Sequence, residues 1–309
     1  MGACDSGAQN ELVKTQISGR TMGTSYHITL FDKQPINSSA ELRLSKEISG
    51  LLQVINLRMS TYLADSQISK FNNSTSLDWF PVVSDFLTVV KAAQKISKQT
   101  RGAFDITVAP LVEAWGFSKT TKNETPSSQQ LDIIKKSVGY QKLRFRETSP
   151  ALKKSNKNLQ IDLSAIAKGF AVDKISDFLI SQNYKNFMVE IGGEIRVKGH
   201  AANGKKWRIV IRNPNLDDPN IKQKTLILSN KSVATSGNYL NYFIKDKVRY
   251  SHILDPITLQ PKIQPPMSVT VLHNSAMMAD AYATALMVLG EQKGQRLADK
   301  LGLEVYWAK

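Results

Sequence analysis

The stretch FMVEIGGEIRVKG, residues 187–199, decides how this chain is built. Runs rich in apolar and β-branched residues flank Gly192-Gly193 and read as two strands. Paired glycines between two such runs mark either a tight turn or a place where a ligand passes close to backbone. As a turn they make a hairpin-like pair of strands, 186–191 and 194–199. Working outward, strands are expected at 206–212, 225–229, 239–244 and 247–253, and at Ser25–Phe31 (SYHITLF), 268–273 and 303–307. Helical spacing marks 40–58 through Leu44, Ile48, Leu51, Leu52, Ile55 and Leu57. Pro81 is expected in the first turn of a second helix, 81–99, where its missing N–H costs nothing. A third helix runs from Ala165 to about Ser181, a fourth is the Ala-rich 278–290, and a fifth covers 291–301. Residues 118–130 (SKTTKNETPSSQQ) read as a surface loop, and 153–158 as a turn before a strand NLQID. Hairpin-like pairs mixed with separate helices give an α+β fold with mainly antiparallel sheets and packed helices, not a doubly wound nucleotide fold. Residues 1–15 read as a tether and 16–309 as one domain.

Composition narrows the function. The chain has 309 residues, 41% hydrophobic and 22% charged, enough for a large core. Its net charge of +15 attracts phosphates, anionic lipid or an acidic partner. Lys and Arg are spread along the chain, with no basic helix and no aromatic RNA-binding motif, so a nucleic-acid function is not expected. With Cys4 alone there is neither an intramolecular disulfide nor a thiolate cluster. Gly2-Ala3-Cys4 resembles the end of a bacterial lipoprotein signal, followed by a polar tether. The apolar signal stretch is absent, as for a chain trimmed just before the cleavage point with Met1 added. On this reading Cys4 carries a lipid anchor, and Asp5 resembles the signal that keeps lipoproteins on the inner membrane. The alternative is a plain cytosolic N-terminus with a stray cysteine.

Several segments carry chemistry. In MADAYATALMVLG, 278–290, Asp280 and Thr284 lie four residues apart, so both oxygens rise from one helix face among small neighbours. A hard cation needs such oxygens, and a phosphate beside it needs room. An Ala-rich core helix with an incidental Asp gives the same pattern. In IDLSAIAKGFAVDKI, 161–175, Asp162 ends a strand, Ser164 suits an N-cap, and Lys168 falls in the first helical turn. A helix N-terminus with a lysine suits a diphosphate, although an ordinary capped helix looks the same. RGAFDITVAPLVEAWGF, 101–117, sets Gly102, Ala103, Phe104 and Asp105 as a wall for a planar ligand, and MSTYLADSQISKFN, 59–72, offers Tyr62 as a second ring. SHILDPITLQP, 251–261, brings His252 and Asp255 to a strand end. His252 is the candidate general base, because imidazole accepts a proton near neutral pH. There is no phosphate-binding G-x-x-x-x-G-K-[ST] loop, no H-E-x-x-H, no C-x-x-C and no G-x-S-x-G elbow.

Taken in order, these segments resemble the ApbE-type FAD:protein FMN transferases, bacterial flavin transferases also described as thiamine-biosynthesis lipoproteins. The likeness runs from GRTMGTSYHI (19–28) through MSTY (59–62), GAFDIT (102–107), IDLSAIAKGFAVD (161–173), EIGGEIRVKG (190–199) and SHILDP (251–256) to MADAYATAL (278–286). It covers nearly everything after the tether. The resemblance implies an ApbE-like (T-fold-like) architecture and a Mg²⁺-dependent enzyme. Such an enzyme takes FAD as substrate, moves its FMN half to a Thr or Ser hydroxyl of an acceptor flavoprotein, and releases AMP. It implies Asp280 and Thr284 as side-chain metal ligands and the Ala165 carbonyl as a backbone ligand. Met22, Tyr62, Ala103, Phe104, Asp105, Asp162, Lys168 and Leu254 match positions lining the FAD site, and His252 the base, with Asp280 counted as catalytic through the metal. The implied acceptor carries D-x-x-[ST]-G-A-[ST] and belongs to a membrane redox complex, which places the enzyme on the periplasmic face of the inner membrane. Ser6-Gly7-Ala8 approaches that pattern, but Ala3 and Gln9 stand where Asp and the hydroxyl belong, so the chain is not its own acceptor. The competing readings are an FAD pyrophosphatase giving FMN and AMP, a non-catalytic lipid-anchored flavin-binding protein, and a basic adhesion module.

Overall fold

Strand alternation and a few local caps build the frame. The computed structural model describes residues 12–118, 125–211, 224–238, 242–263 and 265–308. Cys4 and the lipoprotein-like segment lie outside them. Strands β1 (Val13–Thr21) and β2 (Thr24–Asp32) pair without interruption from Val13↔Asp32 to Thr21↔Thr24. β1 begins inside the stretch expected as tether, so residues 13–15 belong to the sheet. Helix α1 (Ser38–Met59) is capped by Asn37, whose side chain accepts from Ala40 N, and it buries Leu44, Ile48, Leu52, Ile55 and Met59 on one face. Next come α2 (Gln67–Asn73), β3 (Phe80–Pro81) and α3 (Ser84–Gln99).

Here one expectation fails. Pro81 does not open the second helix. It pairs with Ala151 in a small sheet, and Val82 N donates to the Pro150 carbonyl, which keeps the chain extended until Ser84. After α4 (Ala109–Ala114), helix α5 (Ser128–Lys135) starts within the expected loop because Ser127 and Gln130 form a capping box. Residues 119–124 of that loop are outside the described residues. β4 (Leu143–Arg146) and β5 (Ala151–Lys154) complete the order β3-β5-β4. The expected strand NLQID is a loop. The Asn72 side chain donates to Ile161 O and accepts from Ile161 N, both at 2.8 Å, standing where a neighbouring strand would. Asp162 therefore does not end a strand.

The rest of the chain is α6 (Ala167–Ser181), β6 (Phe187–Ile191), β7 (Glu194–Lys198), β8 (Trp207–Ile211), β9 (Lys224–Leu228) and β10 (Lys231–Gly237). Then follow β11 (Tyr242–Lys245), β12 (Val248–Ser251), β13 (Leu254–Asp255), β14 (Gln260–Pro261), β15 (Ser268–His273), α7 (Ala276–Leu289), α8 (Glu291–Leu301) and β16 (Glu304–Ala308). Residues 239–241 of the strand expected at 239–244 lie outside the described residues. Gly192 and Gly193, at φ 60° and 101°, make the β6–β7 turn.

The main sheet runs β1-β2-β6-β7-β10-β15-β16, every neighbour antiparallel and, among the described residues, both edges open, which bears out the α+β reading. β10, absent from the expected strands, joins β7 to β15. One sheet face packs on α6 and α7, with α1 and α3 beside them. The other is covered by the β8–β9 hairpin through Phe31, Val197, Trp207, Ile209, Leu226 and Val233. No helix among the described residues is long and apolar enough to cross a membrane.

Candidate active site

A cleft of about 1220 Å³ opens where the N-terminus of α6, the face of α7 and the ends of β6, β7 and β10 meet. It exceeds the ~300–1,000 Å³ usual for drug-sized ligands and has room for a dinucleotide. Its floor is fixed by the crossing of α6 and α7. Gly169 lies so near α7 that an added Cβ would stand 2.3 Å from the Ala276 carbonyl oxygen. Asp173 of α6 accepts from Ser275 Oγ (2.6 Å), Ala276 N (3.0 Å) and Met277 N (3.0 Å), so one helix caps the other. Arg196 of β7 donates to the same carboxylate at 3.0 Å.

This clamp sets the polar groups. Asp280, buried on α7, accepts from Gly169 N at 3.0 Å through Oδ2, and its Oδ1 is 3.8 Å from Lys168 Nζ. One turn on, Thr284 Oγ1 lies 3.2 Å from Ser236 Oγ of β10. Lys168 Nζ is 3.0 Å from Glu194 Oε1. The period of two along β7 sends Glu194 and Arg196 to the helix side and Val197 to the other. Glu194 Oε2 is buried and, among the described residues, has no hydrogen-bond partner.

The energetics of this group follow from burial. Burial pushes the Asp280 carboxyl above its ordinary pKa, against the pull of Lys168 and the Gly169 N–H. Burial first, and then the Asp280 charge, push Glu194 above its ordinary pKa, while the Lys168 ammonium 3.0 Å away opposes them and favours its ionised form. Burial works against the Lys168 ammonium, but Asp280 and Glu194 outweigh it and hold its pKa above the usual lysine value. Two carboxylates thus face one ammonium, with a carboxylate oxygen left over.

That surplus fits a hard cation. Among the described residues no three His, Cys, Asp or Glu side chains are grouped to hold a metal. A cation here would take mixed carboxylate, hydroxyl and carbonyl oxygens, the donors Mg²⁺ accepts while keeping several waters. Asp280, Thr284 and Ala165, two residues before the start of α6, all line the cleft.

The structure brings most of the residues singled out from sequence to one cleft. Tyr62, Ala103, Phe104, Asp105, Asp162, Lys168, Leu254 and His252 line the same cleft. Met22 does not. It sits in the β1–β2 turn packed against the main core, and Thr24 and Ser25 are the members of that hairpin facing the cleft. Ser164 is not the cap of α6 either. Asp162 Oδ1 accepts from Ser164 N at 2.6 Å, and Ile166 occupies the cap position without a side-chain bond. Phe104 and Ala103 are buried in the turn after α3, whereas Tyr62 stands 69% exposed after α1. Asp105 Oδ1 accepts from Thr107 N and Oγ1, and burial raises its pKa against those bonds. His252 lies in the bend between β12 and β13, with the Phe117 ring edge-on at 6.4 Å.

Glu194, Ser236, Thr24 and Ser25 were not singled out from sequence. On β7 the charged Glu194, Arg196 and Lys198 alternate with Ile195 and Val197, which reads as a solvated face. Only α6 lying over that face makes it the interior. β10 left no alternation to read, so Ser236 was invisible.

Comparison with known proteins gives a consistent answer. The ApbE family model matches residues 22–307. The FAD:protein FMN transferase of Vibrio cholerae is 42% identical over 294 residues, covering 95% of this chain and 86% of the relative. That of Haemophilus influenzae is 38% identical over 302 residues, covering 96% and 87%. The solved flavin transferase ApbE from Vibrio cholerae has a TM-score of 0.87 at 41% identity, covering 96% of this chain and 93% of that one. The apo form of the Pseudomonas stutzeri flavinyl transferase ApbE also gives 0.87, at 33% identity, covering 96% and 91%. In sequence and in fold alike, the chain belongs to the ApbE family.

Proposed function

We propose that this chain is a Mg²⁺-dependent flavin transferase, which moves FMN from FAD to a Thr or Ser hydroxyl of an acceptor protein and releases AMP. The observation that carries this is the junction of α6 and α7. It sets Asp280, Thr284 and Lys168 on the floor of a dinucleotide-sized cleft with negative charge to spare. Asp280, Thr284 and the Ala165 carbonyl would hold Mg²⁺, which when bound neutralises diphosphate charge and orients the leaving AMP.

The protein's own groups do the rest. Lys168, held protonated by its two carboxylates, adds positive charge beside the diphosphate. Tyr62 gives an exposed ring face for the isoalloxazine, and the buried Phe104 backs the wall behind it. His252 accepts the proton of the acceptor hydroxyl as that oxygen bonds to the FMN phosphorus. The bond from that phosphorus to the bridging oxygen breaks, and AMP leaves with the electron pair.

Incubation with FAD, Mg²⁺ and an acceptor bearing D-x-x-[ST]-G-A-[ST], followed by mass spectrometry, tests the reading. An FMN adduct that disappears with a chelator is expected. Free FMN and AMP without adduct would make the chain a pyrophosphatase. Bound FAD with no AMP would make it a flavin-binding protein. We further propose lipidation at Cys4 and a site of action on the periplasmic face of the inner membrane, beside a membrane redox-complex acceptor. Fatty-acid labelling that survives Cys4→Ala would overturn the anchor.

A further inference from the structure

Glu194 touches none of the proposed metal ligands among the contacts seen, yet it is more deeply enclosed than most of the cleft. Its side chain is 4% exposed, as is that of Asp280, and its Oε2 has no hydrogen-bond partner among the described residues. A buried carboxylate with an unsatisfied oxygen is costly, so what it does for its neighbours has to offset that. Among the described residues its one ion pair is with Lys168, at 3.0 Å from Nζ, whereas Asp280 Oδ1 lies 3.8 Å from the same nitrogen. Lys168 thus has two carboxylates within reach and sits on the nearer.

We propose that Glu194 is a positioning residue that holds the Lys168 ammonium off Asp280, so that the Asp280 carboxylate stays available to a divalent cation. Without its charge, Lys168 closes on Asp280 and competes with the cation for the same oxygen. The lysine remains where an anionic diphosphate meets it, and the carboxylate remains where the metal meets it. Gly192-Gly193 makes this possible. The tight turn starts β7 directly beneath the first turn of α6, and the next residue, Glu194, points up at Lys168.

The inference rests on the reading of Asp280 as a metal ligand, and the experiment separates the two. The affinity of the full-length protein for Mn²⁺ alone, without flavin, is measured by electron paramagnetic resonance. Glu194→Gln, which keeps the shape and removes the charge, is expected to weaken Mn²⁺ binding at least tenfold. Adding Lys168→Met to it is expected to restore binding to within about threefold of the unchanged protein, because the competitor has gone. Thermal melting without metal confirms that both variants fold; Glu194→Asp, expected to keep the ion pair, replaces the glutamine variant should that one fail, and must then retain near-normal Mn²⁺ affinity. Equal Mn²⁺ affinity in Glu194→Gln overturns the inference alone. So does a loss that persists in the double variant, which would make Glu194 a ligand or a purely structural group. Absence of Mn²⁺ binding in the unchanged protein, or binding unaffected by Asp280→Ala, overturns the reading of the site and the inference with it.

Discussion

Two parts of the cleft are made in opposite ways. At the α6–α7 junction, neighbouring elements fix each polar group from several sides. Asp173 receives three donors from the start of α7, Gly169 gives its N–H to Asp280, and Glu194 holds Lys168. At the rim the contacts are rings and exposed apolar side chains. Phe117 meets Phe243 at 5.5 Å and His252 at 6.4 Å, while Tyr62 and Val210 are 69% and 52% exposed. The floor is preorganised for charge, which must be placed to fractions of an ångström. The rim offers surface that can adjust to a flat ligand and an incoming protein. Damage at the floor should therefore abolish chemistry, and damage at the rim should reduce binding or proton transfer by degrees.

The largest effect is expected from Asp280→Ala. We expect transfer to fall by ~10³–10⁴-fold, some 4–5.5 kcal/mol of barrier, with the response to Mg²⁺ lost. Stability should drop only by the cost of an unpaired Gly169 N–H, about 1–3 kcal/mol. Initial rates of adduct formation check the first figure and urea unfolding the second. A rate within tenfold of the unchanged protein would mean that the floor is not where reaction occurs. Gly169→Ala attacks the same region without touching a reacting group. Its Cβ meets backbone, the Ala276 carbonyl, which cannot swing aside as a side chain can. The overpacking should cost about 1–3 kcal/mol in urea unfolding and lower the rate as α7 shifts. Unchanged stability would show that the helix crossing is looser than the comparison requires.

The same contrast governs what the sequence disclosed. Asp280 and Thr284 were legible because a helix repeats locally, so two residues four apart share a face whatever surrounds them. The antiparallel hairpin at Gly192-Gly193 was legible for the same reason. β10, KSVATSG, was not. It offers only Val233 and Ala234 as apolar residues, and it is a strand because β7 and β15 pair with it from 31 or more residues away. Pro81 was misread because Pro at a helix start and Pro on a sheet edge look alike in sequence. The Ala151 partner that decides between them lies 70 residues on. Glu194 was quoted inside its motif and still missed, since only the packing of α6 turns a charged strand face into an interior.

At the rim the expected losses are smaller. His252→Gln keeps the bulk of the side chain and should leave the melting temperature unchanged. It should slow transfer by ~10²-fold and remove the part of the rate–pH profile that falls as pH drops, the mark of a lost general base. A slowed rate with that limb intact would reassign the proton to another group. Tyr62→Ala should do least. Stacking on a ring contributes about 0.5–1.5 kcal/mol, so KM for FAD should rise roughly two- to twelvefold with kcat held. Tyr62→Phe, which keeps the ring, should restore KM. If kcat falls instead, the ring positions the reacting phosphorus as well as the flavin, and the rim belongs with the rigid floor.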